Sequence, residues 1–241
     1  MRLGRLPADP AALGRSPAHR FGLVEPPAVL DRSLADFGPQ AYGNMDYPDC
    51  TAATLANCAR AVSYLNGYDL TVDPATPLEF YGNFLGNPPD LADTDGANVV
   101  ELLTYQGARG FNIGPQSLVA NWGTIDTTSR SALARCLSRL GPVYLGITLR
   151  EREMDTSAVW DVVSGRDDGP KVGGHAVPLW SYAGLADDSI CQIGTWGRWQ
   201  AVTWGWLAAR LDEAHGLVWR QLEKADGFYI GLTPDGLAAE L

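Results

Sequence analysis

The hydrophobic pattern of this 241-residue chain changes its period near residue 141. Between residues 51 and 140, apolar side chains recur every three or four positions, which is the spacing of one face of an α-helix. From residue 142 onward they alternate with polar ones, as in a half-buried β-strand. Helices in the first half and strands in the second predict an α+β protein in which a helical lobe packs against an antiparallel β lobe. A cleft between two such lobes is a common place for a functional site.

Turn residues and periodicity together place the individual elements of both lobes. The pattern predicts helices, or at least one helical turn, over 51–66, 78–84, 96–107 and 129–140. It predicts strands over 142–149, 174–184, 189–197 and 228–232, and a strand that passes into a short helix over 199–215.

The N-terminal part of the chain has a different composition from the rest. Residues 1–23 are rich in Pro, Ala, Gly and Arg and show no sustained period, so we expect an extended arm that lies on the domain. The remaining residues, 24–241, are enough for one domain with two lobes sharing a cleft. We expect the helical lobe over about 45–140 and the β lobe over about 141–235.

Charge and hydropathy exclude two classes of partner. The formal net charge is −10, and an acidic chain repels phosphate backbones, so nucleic acid is not expected as a partner. No apolar run approaches the ~20 residues that span a bilayer, and the basic N-terminus lacks the apolar segment of a secretory signal. We therefore expect no membrane partner, and a location in the cytoplasm of the producing cell or in a virion assembled there.

The sequence lacks the motifs of several common enzyme classes. HExxH, GxxxxGK[ST], GxGxxG and GxSxG are all absent, which removes support for metal hydrolysis, nucleotide binding and serine hydrolase chemistry. The chain has four cysteines, and their spacing fits no zinc pattern. We expect no metal and no cofactor.

One cysteine and one histidine stand apart from the others. Cys58 and Cys136 fall on apolar helix faces and Cys191 lies inside a strand, as expected of small buried hydrophobes. Cys50 begins a predicted helix, in YPDCTAAT, where the helix dipole lowers the pKa of a thiol. His175 follows two glycines at the start of an apolar strand, in GGHAV. The two form a nucleophile and its base, or else a cysteine packed under the arm and a histidine bonded to a carbonyl.

Several residues stand at defined distances from this pair. An aspartate lies nineteen residues before Cys50 and an amide side chain six residues before it, and a tyrosine lies seven residues after His175. These positions are Asp31, Asn44 and Tyr182, followed by the run Gly194-Thr195-Trp196-Gly197. The joint spacing over about residues 24–232 resembles that of the papain-like cysteine peptidases.

This resemblance implies a two-lobed fold over 24–241 with the site in the cleft between the lobes. Cys50 would be the nucleophile, as a thiolate paired with the His175 imidazolium, and would attack a peptide or isopeptide carbonyl. Asn44 and the backbone N–H of Cys50 would hold the oxyanion, and Trp196 would roof the site. The implied partner is a peptide or protein substrate. The acidic loop 87–95 either rims the cleft and favours basic substrates or is a solvated loop.

The sequence also departs from the family pattern. The asparagine that orients the catalytic histidine falls on Gly194, so Thr195, a backbone carbonyl or water would have to orient His175. The residue after the nucleophile is Thr51 and not an aromatic one. The usual disulfides and a long inhibitory pro-segment have no match, so we expect four free thiols.

Three functions remain open at this stage. Retention of Cys50, His175 and Asn44 together favours an active cysteine peptidase. The missing asparagine favours a virion structural protein, such as a capsid, tail or fibre component, that uses the fold as a scaffold with weak or no catalysis. The pattern GN…DC, GGHAV and TWG resembles papain-like proteins encoded by tailed bacteriophages, for which other virion proteins would be partners. A cell-wall hydrolase of the NlpC/P60 type, which also orders Cys before His, is the third.

Overall fold

The computed structural model describes residues 1–18, 24–224, 229–230 and 232. The α-helices are α1 (Pro10–Arg15), α2 (Cys50–Leu65), α3 (Ala75–Phe84), α4 (Val99–Arg109), α5 (Arg130–Leu140) and α6 (Trp204–Arg210). The strands are β1 (Phe111–Ile113), β2 (Gln116–Leu118), β3 (Ala120–Thr124), β4 (Val143–Arg150), β5 (Lys171–Tyr182), β6 (Ile190–Thr195), β7 (Arg198–Thr203) and β8 (Leu211–Trp219). None of the helices in these ranges is long and apolar enough to cross a membrane.

The predicted elements are confirmed to within a few residues, and four strands were missed. The missed ones are β1, β2, β3 and β8. The first two have three residues each, which is too short to show alternation. β8 is almost wholly buried yet carries Asp212, Glu213 and His215, so its charged residues hide the apolar pattern of a central strand. Of the predicted strand 228–232, residues 228 and 231 lie outside the described residues, and Tyr229 and Leu232 form an isolated antiparallel bridge.

One antiparallel sheet organises the β lobe. Its strand order is β3-β8-β4-β5-β6-β7, so β8, the last strand of the described residues, lies between β3 and β4. Helix α2 packs on β5 near the middle of this sheet. Because Cys50 is the first residue of α2 and His175 lies on β5, this packing brings the two predicted catalytic residues to the same place.

The sequence of α2 explains how it can lie so close to the sheet. Its buried face carries small side chains, namely Ala52, Ala53, Ala56 and Ala59, which let a helix backbone approach its neighbour. At the first turn, the Tyr144 hydroxyl donates to the Thr51 carbonyl at 2.9 Å. At the other end, the Asn66 amide donates to the Leu222 carbonyl at 2.8 Å and accepts from the Ile230 N–H at 2.7 Å. A side chain of β4 therefore holds the first turn of the helix, and the C-cap side chain of the helix binds the backbone of distant residues at its other end.

The N-terminal arm is not extended throughout. Pro10–Arg15 forms the short helix α1, whose N-cap Asp9 accepts from the Ala11 N–H at 2.9 Å. A proline in the first turn suits a helix start, because its missing N–H would have no partner there. Beyond α1, Ala18 pairs with Thr124. The residues before α1 run along the junction of the two lobes, as described below.

Asn66→Ala tests the anchor at the end of α2. We expect it to lower the free energy of unfolding by about 2 kcal/mol, because it leaves a buried N–H and a buried carbonyl without partners. Asn83→Ala, at an exposed position on α3, should change it by less than about 0.5 kcal/mol. Urea denaturation measures both, and equal effects would contradict the anchoring role.

Candidate active site

Cys50 lies at the N-terminus of α2 but is sealed from solvent, with 1% of its surface exposed. Burial raises the pKa of its thiol to about 12, although backbone groups of Ala176 and Gly4 lower it in part. The sequence predicted a lowered pKa from the helix dipole. That prediction is wrong for this state, because the cost of ionising a thiol out of contact with water outweighs the helix terminus.

His175 is held on two sides by residues of the β6–β7 turn. Its Nε2 lies 2.8 Å from the Thr195 hydroxyl oxygen, and the Trp196 ring stacks on the imidazole with centroids 4.6 Å apart. Within the described residues, Nδ1 has no hydrogen-bond partner. Burial and the positive charge of Arg5 lower the pKa of His175 to about 3, so the imidazole is neutral at pH 7.

The papain-like pattern would place the orienting asparagine at Gly194, one residue before Thr195. A Cβ built on Gly194 would lie 2.9 Å from the Pro39 Cβ and 3.1 Å from a Pro178 side-chain carbon, so no asparagine fits there without movement. The next residue supplies the hydroxyl, and Trp196 adopts a positive φ of 46° in the turn above the histidine. The orientation of His175 therefore comes from Thr195 in place of an asparagine.

Asn44 is buried beside the same cysteine. Its Nδ2 donates to the Tyr47 carbonyl at 3.2 Å, which leaves its second N–H for another acceptor. The six predicted site residues, Asn44, Cys50, His175, Gly194, Thr195 and Trp196, all line one cavity of only about 10 Å³. The structure thus brings the whole predicted set together, while the chemical role of each remains a prediction. Gln40, which sequence reasoning missed, also lines this cavity.

Asp49, the residue before the nucleophile, is also wholly buried. Burial raises the pKa of its carboxyl to about 7, and nearby polar groups of Asn44 and Gly43 only partly offset this. At neutral pH a protonated carboxyl therefore lies next to Cys50 for part of the time. The signal in the sequence is the acid in YPDC, but its burial was not foreseeable from the pattern.

The N-terminal residues 2–7, here called the cover segment, lie in the cleft between the lobes. On the β side, the Arg5 N–H donates to the Gly174 carbonyl at 3.1 Å, next to His175. On the helical side, the Ala97 N–H donates to the Gly4 carbonyl at 2.8 Å, and the Leu6 N–H donates to the Ala97 carbonyl at 2.9 Å. The cover segment therefore binds both walls through its backbone. The sequence predicted an extended arm lying on the domain but not its position in the cleft.

Glycines allow the cover segment to lie this close. A Cβ on Gly4 would come within 1.9 Å of the Pro48 carbonyl oxygen, and one on Gly96 within 1.9 Å of the Gly4 oxygen. A backbone group of Gly4 also lies close enough to the Cys50 thiol to lower its pKa in part. The cover segment therefore reaches the candidate nucleophile itself.

Further contacts fix the start of the cover segment over the cavity. The Arg2 N–H donates to the Asn44 carbonyl at 3.1 Å, and the Trp196 indole donates to the Arg2 carbonyl at 3.2 Å. Beside the segment lies a cavity of about 470 Å³ whose lining includes Asp95, Lys171 and Asp212. The end of the acidic loop 87–95 thus reaches the cleft. In the described part of the chain, no group of three or more His, Cys, Asp or Glu side chains is arranged to hold a metal ion.

The arrangement can be compared with known proteins. No family model and no curated protein matches the sequence. Among solved structures, xylellain, a cysteine protease from Xylella fastidiosa, matches with a TM-score of 0.69 and 14% identity over 90% of this chain and 95% of that chain. Digestive procathepsin L 3 of Tenebrio molitor larval midgut matches with a TM-score of 0.57 and 11% identity over 86% and 77%. ProCathepsin B S9 from Trypanosoma congolense gives 0.58 and 12% over 90% and 86%.

These likenesses show the fold. The neighbours are papain-like cysteine proteases, and the helical and β lobes correspond to theirs. The predicted α+β, papain-like two-lobed fold is therefore confirmed. At such low identity the comparisons do not extend to substrates.

Asp49→Asn tests the buried carboxyl beside the nucleophile. Because folding raises the pKa of Asp49 from 3.8 to about 7, the folded chain retains a proton that the unfolded chain has lost between these values. This contribution to stability is full below the unfolded pKa and is lost as the pH rises through the folded pKa. Asparagine mimics the protonated acid and does not titrate. We expect the free energy of unfolding of wild type minus that of Asp49→Asn to fall between pH 4 and 7, and a flat difference would contradict the assignment.

Proposed function

We propose that this protein is a cysteine peptidase with Cys50 as nucleophile and His175 as its proton-transfer partner. The observation that carries the proposal is their meeting in one cavity of a papain-like fold, with the thiol at a helix N-terminus and the imidazole held by Thr195 and Trp196. Solved structures similar to it in fold are named as cysteine proteases or procathepsins.

Each group has a role in the proposed reaction. Thr195 accepts from Nε2–H of His175, which fixes the tautomer and leaves Nδ1 as the base. Nδ1 takes the proton of Cys50, and the thiolate attacks a peptide carbonyl carbon. The backbone N–H of Cys50 and an N–H of Asn44 stabilise the oxyanion. His175 then protonates the leaving amine and activates the water that hydrolyses the thioester.

The cover segment makes the observed state a resting one. With it in place, burial keeps the Cys50 thiol neutral, and burial together with the positive charge of Arg5 keeps the His175 imidazole neutral. Its departure admits water, which lowers the pKa of Cys50 and raises that of His175. The loss of the Arg5 charge raises the pKa of His175 further. The peptidase is then able to form the thiolate–imidazolium pair expected from the sequence.

The second candidate is a virion structural protein that keeps the fold as a scaffold. The observation in its favour is the sealed cavity of about 10 Å³, since a scaffold needs no route to its cysteine. A tailed-phage origin and virion partners belong to this proposal and rest on the sequence pattern alone. No feature of the site favours a cell-wall hydrolase over a peptidase.

Arg5→Glu separates these two candidates. Charge reversal places a carboxylate against Asp212 and Glu213, so it should displace the cover segment from the cleft. We expect iodoacetamide to modify Cys50 at least about tenfold faster than in wild type, with hydrolysis of peptide substrates that Cys50→Ala abolishes. Mass spectrometry identifies the modified cysteine among the four, and circular dichroism verifies the fold.

The matched control is Arg15→Glu, which makes the same charge change at an exposed residue of α1 and should behave as wild type. Adding His175→Ala to Arg5→Glu should slow the modification at least about tenfold, through loss of thiolate stabilisation. If His175→Ala leaves the rate of Cys50 modification unchanged and no peptide is cleaved, the peptidase proposal is wrong and the scaffold proposal is favoured.

Thr195→Val tests the orientation of His175 in the Arg5→Glu chain. Valine keeps the shape of threonine but removes the oxygen that bonds Nε2, so we expect kcat to fall by at least about tenfold. Thr195→Ser retains the oxygen and should retain most of the activity. The pH–rate profile provides a second readout, since a merely structural effect would leave its midpoints in place.

A further inference from the structure

The side chain of Arg5 fills a pocket that is built for a guanidinium group. This guanidinium pocket consists of Ile147, Thr148, Asp212 and Glu213. Nη1 of Arg5 lies 2.9 Å from the Glu213 carboxylate, and Nη2 lies 3.1 Å from the Ile147 carbonyl and bonds the Asp212 carboxylate. The side chains of Arg5 and Glu213 are 1% and 0% exposed.

The rest of the sheet holds the two carboxylates in place without help from Arg5. The Thr148 hydroxyl donates to Asp212 at 2.7 Å, and Nε2 of His215 lies 3.1 Å from the second oxygen of Glu213. The neighbouring Gly146 keeps the pocket wide, because a Cβ there would lie 2.5 Å from Glu213 and 2.8 Å from Arg5.

An empty pocket of this kind is electrostatically unfavourable. Removing one partner of a buried ion pair leaves an uncompensated charge, which is far more costly than the pair itself. When the cover segment leaves, Glu213 and Asp212 lose their cation together. The vacated pocket therefore favours a new cation, and its two carboxylates and one carbonyl match the several N–H donors of a planar guanidinium better than a single ammonium.

The backbone contacts of the cover segment are open to any extended peptide. The bonds to Gly174 and Ala97 use only N–H and C=O groups of the segment. A peptide bound along the same walls would make the same bonds, with one residue over Cys50 and the next beside the guanidinium pocket, as Gly4 and Arg5 are now.

We propose that the guanidinium pocket is the specificity site of this enzyme and selects peptide substrates with an arginine next to the residue bound at Cys50. This rests on the proposed function. In the resting state Arg5 occupies the pocket in place of the substrate's arginine. Citrulline, which has the shape of arginine without its charge, should bind poorly there, and lysine should rank between the two.

The experiment uses the full chain carrying Arg5→Ala and two fluorogenic peptides. The peptides are identical except that one has arginine and the other citrulline next to the residue bound at Cys50. We expect kcat/KM to be at least about tenfold higher for the arginine peptide. Adding Glu213→Gln should bring the two values to within about threefold of each other. Glu79→Gln, at an exposed residue of α3, should leave the ratio unchanged. If Arg5→Ala does not fold, the same ratio is measured on Arg5→Glu, with and without Glu213→Gln.

A measurement without catalysis accompanies it. N-acetylarginine amide should raise the melting temperature of Arg5→Ala, whereas N-acetylcitrulline amide should not, and Glu213→Gln should abolish the shift. Peptide hydrolysis with equal kcat/KM for the two substrates would overturn the specificity proposal and leave the peptidase standing. No hydrolysis, with stabilisation by the arginine derivative, would overturn the peptidase and support guanidinium recognition alone.

Discussion

The buried ion pair between Arg5 and Glu213 is the interaction on which the observed state depends. It joins the N-terminus of the chain to β8, a strand that lies between β3 and β4. A buried pair of this kind contributes little net stability but is costly to break on one side only. The pair therefore fixes the register of the cover segment, so that Gly4 and not a bulkier residue lies over Cys50.

The chemistry of the site follows from that placement. Cys50 and His175 line one cavity, yet burial makes the thiol neutral, and burial with the Arg5 charge makes the imidazole neutral. The helix terminus, the Thr195 hydroxyl and the Trp196 ring remain in place. In the proposed mechanism, the groups that would form a thiolate–imidazolium pair are assembled in advance and only water is missing. Displacement of the cover segment would then change the charge state of the site without rearranging the fold.

The sequence predicted the parts of this molecule that depend on local pattern. Helix α2 follows from apolar spacing after Cys50, and β5 follows from the alternation around His175, so the fold class and the candidate pair were both accessible. Thr195 was one of several ways to orient His175, and only packing against Pro39 and Pro178 shows why Gly194 cannot carry the asparagine.

The features that the sequence did not predict depend on contacts between residues distant in the chain. Arg5 and Glu213 are 208 positions apart, and neither has a neighbour in sequence that signals the pair. β8 was missed because its charged residues are typical of a polar segment, and their burial is explained only by a partner that is distant in the chain. The lowered pKa expected for Cys50 was wrong because a pattern contains no information about solvent access.

The most direct test of a covered catalytic pair is the ionisation of Cys50 itself. Thiolate absorbance at 240 nm, titrated against pH with Cys50→Ser subtracted, isolates this group. In wild type we expect no thiolate from Cys50 until above about pH 10, and in Arg5→Glu a midpoint below the ordinary thiol value of about 8.5. A midpoint at or above that ordinary value in Arg5→Glu, with Cys50 open to reagents, would contradict the account, because an uncovered thiol beside His175 would then have no activated form.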